Sequence, residues 1–255
     1  MITSKKKIAL QLYTVREDMD KDFYGTLKKV ADMGYEGVEF GGFYGLSAEE
    51  MMETLKKNNL SIAACHISFN ELENDIDILI PIYKKIRCTD LVVSYSDDEH
   101  RPGGIKFEET LLLYQNTGKK LKENGINLSY HNHDFEFVDY KGTTGFDYMY
   151  ENVSSEYLNP EIDLCWVNVA GKNPIEYLEK YKNRCKLLHF KDFIKTEKGV
   201  EFKPLGQGIQ DMKGIVKAAE KTVAKWYIVE QDFSNIQTPM QAAEMSIKYL
   251  KTLTD

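Results

Sequence analysis

The chain has 255 residues, 42% hydrophobic and 29% charged, an ordinary globular composition at a length near that of one closed barrel of about 250 residues. Basic residues number 33 against 40 acidic ones. The resulting net charge of −7 repels phosphate backbones and excludes generic nucleic-acid binding. No apolar stretch approaches the ~20 residues of a membrane span, the first residues lack the apolar segment of a secretory signal, and Cys65, Cys88, Cys165 and Cys185 form no C-x-x-C pair. The expectation is a cytoplasmic protein with no membrane partner.

Apolar runs alternate with amphipathic ones along the chain. Ile8–Leu12 reads as a first strand and Asp22–Met33 as a helix stopped by Gly34. Gly37–Phe40 is a second strand. Ser47 with Glu50 three residues on opens a capped helix that closes at Asn58-Asn59. Leu60–His66 is strand three, Ile76–Ile86 a helix, and Asp90–Ser94 strand four. Phe107–Glu123 is a long helix ended by Asn124-Gly125, and Ile126–His131 is strand five. A short helix, Phe146–Glu151, precedes strand six, Glu161–Cys165. Pro174–Lys182 is a helix with proline in its first turn, and Lys186–Phe190 is strand seven. Lys191–Gln210 reads as a long loop, Met212–Lys221 as a helix and Trp226–Glu230 as strand eight. A last helix runs from Pro239 to about Leu253.

Eight strand–helix units in this length predict an α/β fold, a single (β/α)8 TIM barrel over residues 1–255. An open doubly wound sheet is the alternative. It calls for a glycine-rich turn after the first strand, where this chain has Leu12-Tyr13-Thr14-Val15-Arg16-Glu17-Asp18.

The barrel reading directs attention to strand ends, because side chains there converge on one mouth. Asp163, His189 and Glu230 end strands six, seven and eight. A buried carboxylate at such a place is costly unless paired or metal-bound. Carboxylate with imidazole is the donor set of Mn, Mg, Co or Zn. Taken singly, each residue has a plainer role as a cap, a core histidine or half of an ion pair. Near the end of strand five lie His131, His133 and Glu136. One histidine could be a ligand and the other a base, and Glu136 could fold back as a further ligand. Lys191 shares a face with His189 and suits a substrate oxygen or a supporting salt bridge. His66 and Glu39, at the ends of strands three and two, are candidates for a polyhydroxyl ligand. Tyr13 and Trp166, with Phe43, Tyr44 and Tyr95, supply aromatic walls for a sugar face. Gly206-Gln207-Gly208 reads as a bend rather than a phosphate cradle.

Six stretches together resemble one family: Leu10-Gln11-Leu12-Tyr13-Thr14-Val15-Arg16, Tyr130-His131-Asn132-His133-Asp134-Phe135-Glu136-Phe137, Asp163-Leu164-Cys165-Trp166, His189-Phe190-Lys191-Asp192, Leu205-Gly206-Gln207-Gly208 and Ile228-Val229-Glu230-Gln231-Asp232. They are similar to the sugar phosphate isomerase/epimerase group of xylose-isomerase-like TIM barrels. The resemblance implies one divalent metal, Mn first, held by Glu, Asp, His and Glu from strands five to eight. Asp163, His189 and Glu230 match three of these. The ketose epimerases carry their first Glu within strand five, where this chain has Tyr130-His131, so Glu136 becomes the fourth ligand. The Tyr-His-Asn-His pattern resembles inosose dehydratases and keto-glycoside lyases more closely. Apurinic endonucleases of the superfamily need a histidine three residues after the strand-six aspartate, and here that residue is Trp166.

The activity implied is metal-dependent isomerisation or epimerisation of a sugar or sugar phosphate, by proton abstraction next to a carbonyl. Glu230 would be the base and His131 or His133 the group on the opposite side, with Lys191 anchoring a hydroxyl. Elimination from the same enediolate, giving a lyase, is the first alternative. A non-catalytic, metal-dependent sugar-binding barrel is the alternative of another class. The partner expected is a small sugar or cyclitol, and a homo-oligomer fits the fold.

Overall fold

The computed structural model describes residues 6–233 and 236–254; residues 1–5, 234–235 and 255 lie outside the described part. Eight parallel strands close on themselves in sequence order. They are β1 (Lys7–Gln11), β2 (Gly37–Phe40), β3 (Ser61–Ile67), β4 (Asp90–Val93), β5 (Asn127–His131), β6 (Asn159–Asp163), β7 (Leu187–Phe190) and β8 (Trp226–Val229). Closure is made by β1 on β8, with Ala9 beside Ile228 and Leu10 beside Val229.

Period-two alternation builds the barrel in layers. Ala9, Ala64, Val92, Leu187, Trp226 and Ile228 form an apolar cluster distinct from the main core. Their neighbours Ile8, Leu10, Val38, Leu91, Leu188, Tyr227 and Val229 belong to that main core, which packs strands against helices. Two residues beyond the apolar layer, the same faces of β1, β7 and β8 carry Gln11, His189 and Glu230. The barrel is therefore dry at one end and polar at its carboxyl-terminal mouth.

Several local expectations hold. Ser47 and Glu50 form a full capping box on the helix Ala48–Lys57. Gly34 and Gly125 adopt positive φ, 94° and 77°, where the helices before them stop. The four cysteines are buried and free.

The helix drawn over Asp22–Met33 also holds, as Phe23–Asp32 with the Asp22 side chain capping it by accepting from Gly25 N–H; a further short helix, Arg16–Lys21, precedes it. Two expectations are corrected. Strand six ends at Asp163, not Cys165. There the Asp163 carboxylate accepts from the Cys165 and Trp166 amides and starts the helix Leu164–Val169. The loop drawn over Lys191–Gln210 contains an antiparallel hairpin, Asp192–Thr196 with Gly199–Lys203, turned at Glu197-Lys198, with Gly199 at φ 110° directly after the turn.

Candidate metal centre and active site

A cavity of about 620 Å³ opens at the carboxyl-terminal mouth. His66, His131, His133, Lys191, Glu230 and Asp232 line it, with Tyr13, Phe43, Tyr95, Trp166, Phe202 and Phe233 as aromatic walls. Tyr13 is 48% exposed and stacks under the Arg16 guanidinium, 4.0 Å from it. Trp166 meets Phe202 edge-on.

His131, Asp163, His189 and Glu230 each bring a ligand atom to one group, all within 4.8 Å of one another. His189 Nδ1 lies 2.9 Å from Glu230 Oε2, and His131 Nε2 lies 3.3 Å from Asp163 Oδ2. Neither ring nitrogen of His131 has a hydrogen-bond partner among the described residues, and Asp163 Oδ2 accepts no hydrogen bond there and is met by the Lys191 ammonium as an ion pair, 3.1 Å away. Polar atoms so deeply buried are costly without a partner. Borderline nitrogen and hard oxygen donors left open in this way fit a divalent cation.

Glu136, expected as the strand-five ligand, is not in this group. It lies past β5 in a 3-10 turn, where Oε1 accepts from the Tyr130 hydroxyl at 2.5 Å and Oε2 from the His133 amide at 2.7 Å. Burial pushes its carboxyl up to about 8, against the pull of those two donors. Glu136 braces the loop that carries His133, and His131 is the strand-five residue found in the group.

Lys191 lies across the centre. Its Nζ is 2.7 Å from Glu230 Oε2, 3.1 Å from Asp163 Oδ2 and 3.0 Å from Asp232 Oδ1. Burial lowers its pKa, but the three carboxylates outweigh that and hold it well above the usual lysine range. Burial would raise Asp163, yet Lys191 and His131 bring it to about 2. Glu230 is likewise held down by Lys191 and His189 against its burial. His133 differs. Burial, with His131 and Lys191 nearby, holds it well below the usual histidine value, so its imidazole is neutral. It stacks on Phe135 with ring centres 5.2 Å apart.

Under the centre, Glu39 and His66 meet Glu161, a residue that the sequence reading passed over. Glu161 is fully buried on β6, two residues before Asp163 and on the same face. Alternation was the signal for it, once the strand's end was placed at Asp163. Gln11 was also passed over, and its amide donates to Glu39 at 2.7 Å. Asn132 ties β5 to β6, accepting from the Asp163 amide at 2.9 Å and donating to its carbonyl at 3.2 Å.

The Gly206-Gln207-Gly208 stretch is a bend. The Gly206 and Gly208 amides donate to Asp192 Oδ2 at 3.0 and 2.9 Å. A Cβ on Gly208 would fall 2.0 Å from Asp192 Oδ1.

Residues 27–253 match the family described as Xylose isomerase-like TIM barrel. An inosose dehydratase of Clostridium beijerinckii is 26% identical over 276 residues, covering 93% of this chain and 92% of its own. An inosose dehydratase of Clostridium botulinum is 24% identical over 279 residues, covering 92% and 91%. A sugar phosphate isomerase/epimerase structure from Parabacteroides distasonis superposes with a TM-score of 0.82 at 22% identity, over 98% of this chain and all of the other. A probable 3-DHS dehydratase from Bacillus anthracis gives 0.75 at 13% identity, over 96% and 98%.

Proposed function

Since the chain belongs to the xylose isomerase-like TIM barrel family, we propose that it is a divalent-metal-dependent enzyme that removes a proton next to the carbonyl of a sugar or cyclitol. The observation that carries this reading is the group of His131, Asp163, His189 and Glu230, buried together at the mouth, with both ring nitrogens of His131 left without a hydrogen bond among the described residues. Those four residues would hold the metal, Mn first and Mg, Co or Zn otherwise, and the bound ion supplies Lewis-acid polarisation of the carbonyl and of the enediolate.

The chain's own groups divide the remaining work. His133, neutral and facing the cavity, takes the α-proton. Glu230, the base expected from the sequence, is paired with Lys191 at 2.7 Å and with His189 at 2.9 Å and would serve as a ligand. Lys191 stays protonated and hydrogen-bonds the substrate oxygen on which charge develops. The aromatic walls hold the ring face and exclude water.

Return of the proton to the neighbouring carbon gives isomerisation, and return to the same carbon from the other face gives epimerisation. Loss of a substituent from the β-carbon gives dehydration or glycoside cleavage. We favour elimination. A histidine stands where the ketose epimerases carry a strand-five glutamate, and the curated relatives matched along more than nine-tenths of their length are inosose dehydratases. A metal-dependent barrel that binds sugars without turnover is the competing reading.

Proton NMR in D2O with inososes and keto-sugars tests the proposal. Loss of the α-hydrogen, with deuterium at the α-carbon of recovered substrate and an unsaturated product accumulating, is the expected result. Turnover that keeps the α-hydrogen label would point to a hydride shift and sink it. Binding with neither exchange nor turnover would support the non-catalytic barrel.

A further inference from the structure

A second group of ligating side chains lies one layer deeper in the barrel. Glu39, His66, Glu161 and His189 come from β2, β3, β6 and β7, and their ligand atoms fall within 4.8 Å of one another. His66 Nε2 is 3.2 Å from Glu39 Oε2 and 2.9 Å from Glu161 Oε2. His189 Nε2 is 2.7 Å from Glu39 Oε2 and 3.2 Å from Glu161 Oε2. The rings of His66 and His189 stack at 10° with centres 5.6 Å apart. Bonds of about 2.0–2.1 Å to a tetrahedral ion place ligand atoms about 3.4 Å apart. The four nitrogen–oxygen separations, 2.7–3.2 Å, are shorter and two of them are hydrogen bonds, so an entering ion would replace those bonds and spread the atoms by a few tenths of an ångström.

One observation independent of spacing points to a cation. Glu39 Oε1 and Glu161 Oε1 have no hydrogen-bond partner among the described residues, and both side chains are completely buried. Fully buried carboxylates need a countercharge. In the outer group Lys191 supplies one. Here the contacts to the two carboxylates are the two imidazoles and, on Glu39 alone, the Gln11 amide. Against their burial, the two carboxylates hold both imidazoles well above the usual histidine range, His66 at about 10, so protonated histidines carry the countercharge until a divalent ion displaces their protons; the ion with neutral imidazoles would then balance the two carboxylates.

We infer that Glu39, His66, Glu161 and His189 form a divalent-cation site separate from the outer one, with a donor set of two imidazoles and two carboxylates that suits Zn, Co or Mn. His189 faces both groups, Nε2 to the deep one and Nδ1 to the outer one; with both ions bound it would bridge them as an imidazolate, its ring proton passing to solvent. The deep ion would neutralise the barrel floor and fix the ring that the outer group uses.

The test is metal stoichiometry on the full chain. Protein stripped with chelator is loaded separately with Zn2+ and Mn2+, desalted and analysed for metal, with folding followed by circular dichroism. Asp163→Asn, His66→Gln and Glu161→Gln are compared with the parent. The expected result is two equivalents in the parent and one in each variant. One equivalent in the parent, kept by Asp163→Asn and lost in His66→Gln, would also support the deep site, while removing the outer ligand set given under the proposed function. One equivalent lost in Asp163→Asn and kept in His66→Gln would overturn the inference, as would a parent that holds no metal. Two equivalents unchanged by both deep variants would overturn it as well. Glu161→Gln, nearly isosteric, covers the case in which His66→Gln does not fold.

Discussion

Lys191 Nζ lies 2.7 Å from Glu230 Oε2, so an internal cation already sits on an oxygen expected to ligate the outer metal. The same ammonium reaches Asp163 and Asp232. An incoming divalent ion must therefore compete with Lys191. Replacing Lys191 with Met removes the competitor and leaves three buried or half-buried carboxylates uncompensated. Without metal, the variant should lose about 3–5 kcal/mol of stability, the usual cost of breaking a buried pair. With metal, that loss should shrink, and affinity for Mn2+ should rise by about tenfold or more. Turnover should fall by about a hundredfold, since the oxygen-stabilising donor is gone. Melting curves with and without Mn2+ and a metal titration read all of this. Unchanged or weaker metal binding would show that Lys191 and the ion do not share those oxygens.

Glu136 gives a pH dependence of definite sign. Its carboxyl is raised from the ordinary 4.5 to about 8, first by burial, with the Tyr130 hydroxyl and His133 amide opposing. Between those values the folded state keeps a proton that the unfolded chain releases. The stabilisation is therefore complete below about pH 4.5 and is lost as pH rises through 8. Glu136→Gln removes the titration. Relative to the parent, the variant should gain stability between pH 5 and 9, by at most roughly 5 kcal/mol at the alkaline end. Metal content should stay unchanged, because Glu136 bonds Tyr130 and the loop rather than the outer group. A parent–variant difference that is flat with pH would refute the raised value, and lost metal would return Glu136 to the ligand set.

The difference between Glu136 and Glu161 shows what the sequence could and could not convey. The barrel was legible because β1 to β8 are short apolar runs, and helix punctuation such as Ser47 with Glu50 or Gly125 depends on neighbouring residues only. Asp163, His189 and Glu230 were legible for the same reason, since a strand that turns polar does so at its mouth. Glu161 was read as the first residue of a strand, whereas β6 begins at Asn159 and ends at Asp163. That two-residue shift hides an inward-facing carboxylate. The fate of Glu136 depended on a loop folding back to Tyr130, and spacing carries no information on which way a carboxylate then points. Likewise, the contact of His66 with Glu161 joins residues 95 positions apart, which no local pattern encodes.

His133 separates chemistry from metal binding. Its ring lies between Tyr95, Phe135 and Trp166 and lines the cavity, but it is outside both ligand groups. His133→Gln should slow α-proton exchange by about 10²–10⁴-fold, the usual contribution of a general base. Metal content and melting temperature should hold close to the parent's. Exchange measured by NMR beside elemental analysis distinguishes the cases. Exchange at the parent's rate would move the base to another residue, and simultaneous loss of metal would make His133 a ligand or a support for one.

The charge at the mouth bears on whether the substrate carries a phosphate. Lys191 is the one Lys or Arg among the described residues lining the cavity, and Asp163, Glu230 and Asp232 already neutralise it. Glu71 adds a further acid to the lining. A phosphate there would lose its hydration and meet carboxylates instead of the Arg or Lys donors that normally repay it. The aromatic walls favour a neutral ring with its apolar face exposed. The expected outcome is that a free keto-sugar or inosose exceeds its phosphate ester in kcat/KM by about a hundredfold or more, a difference of about 2.7 kcal/mol. Steady-state kinetics on matched pairs measures it directly. Preference for the ester would require a phosphate-binding group that the described lining does not contain.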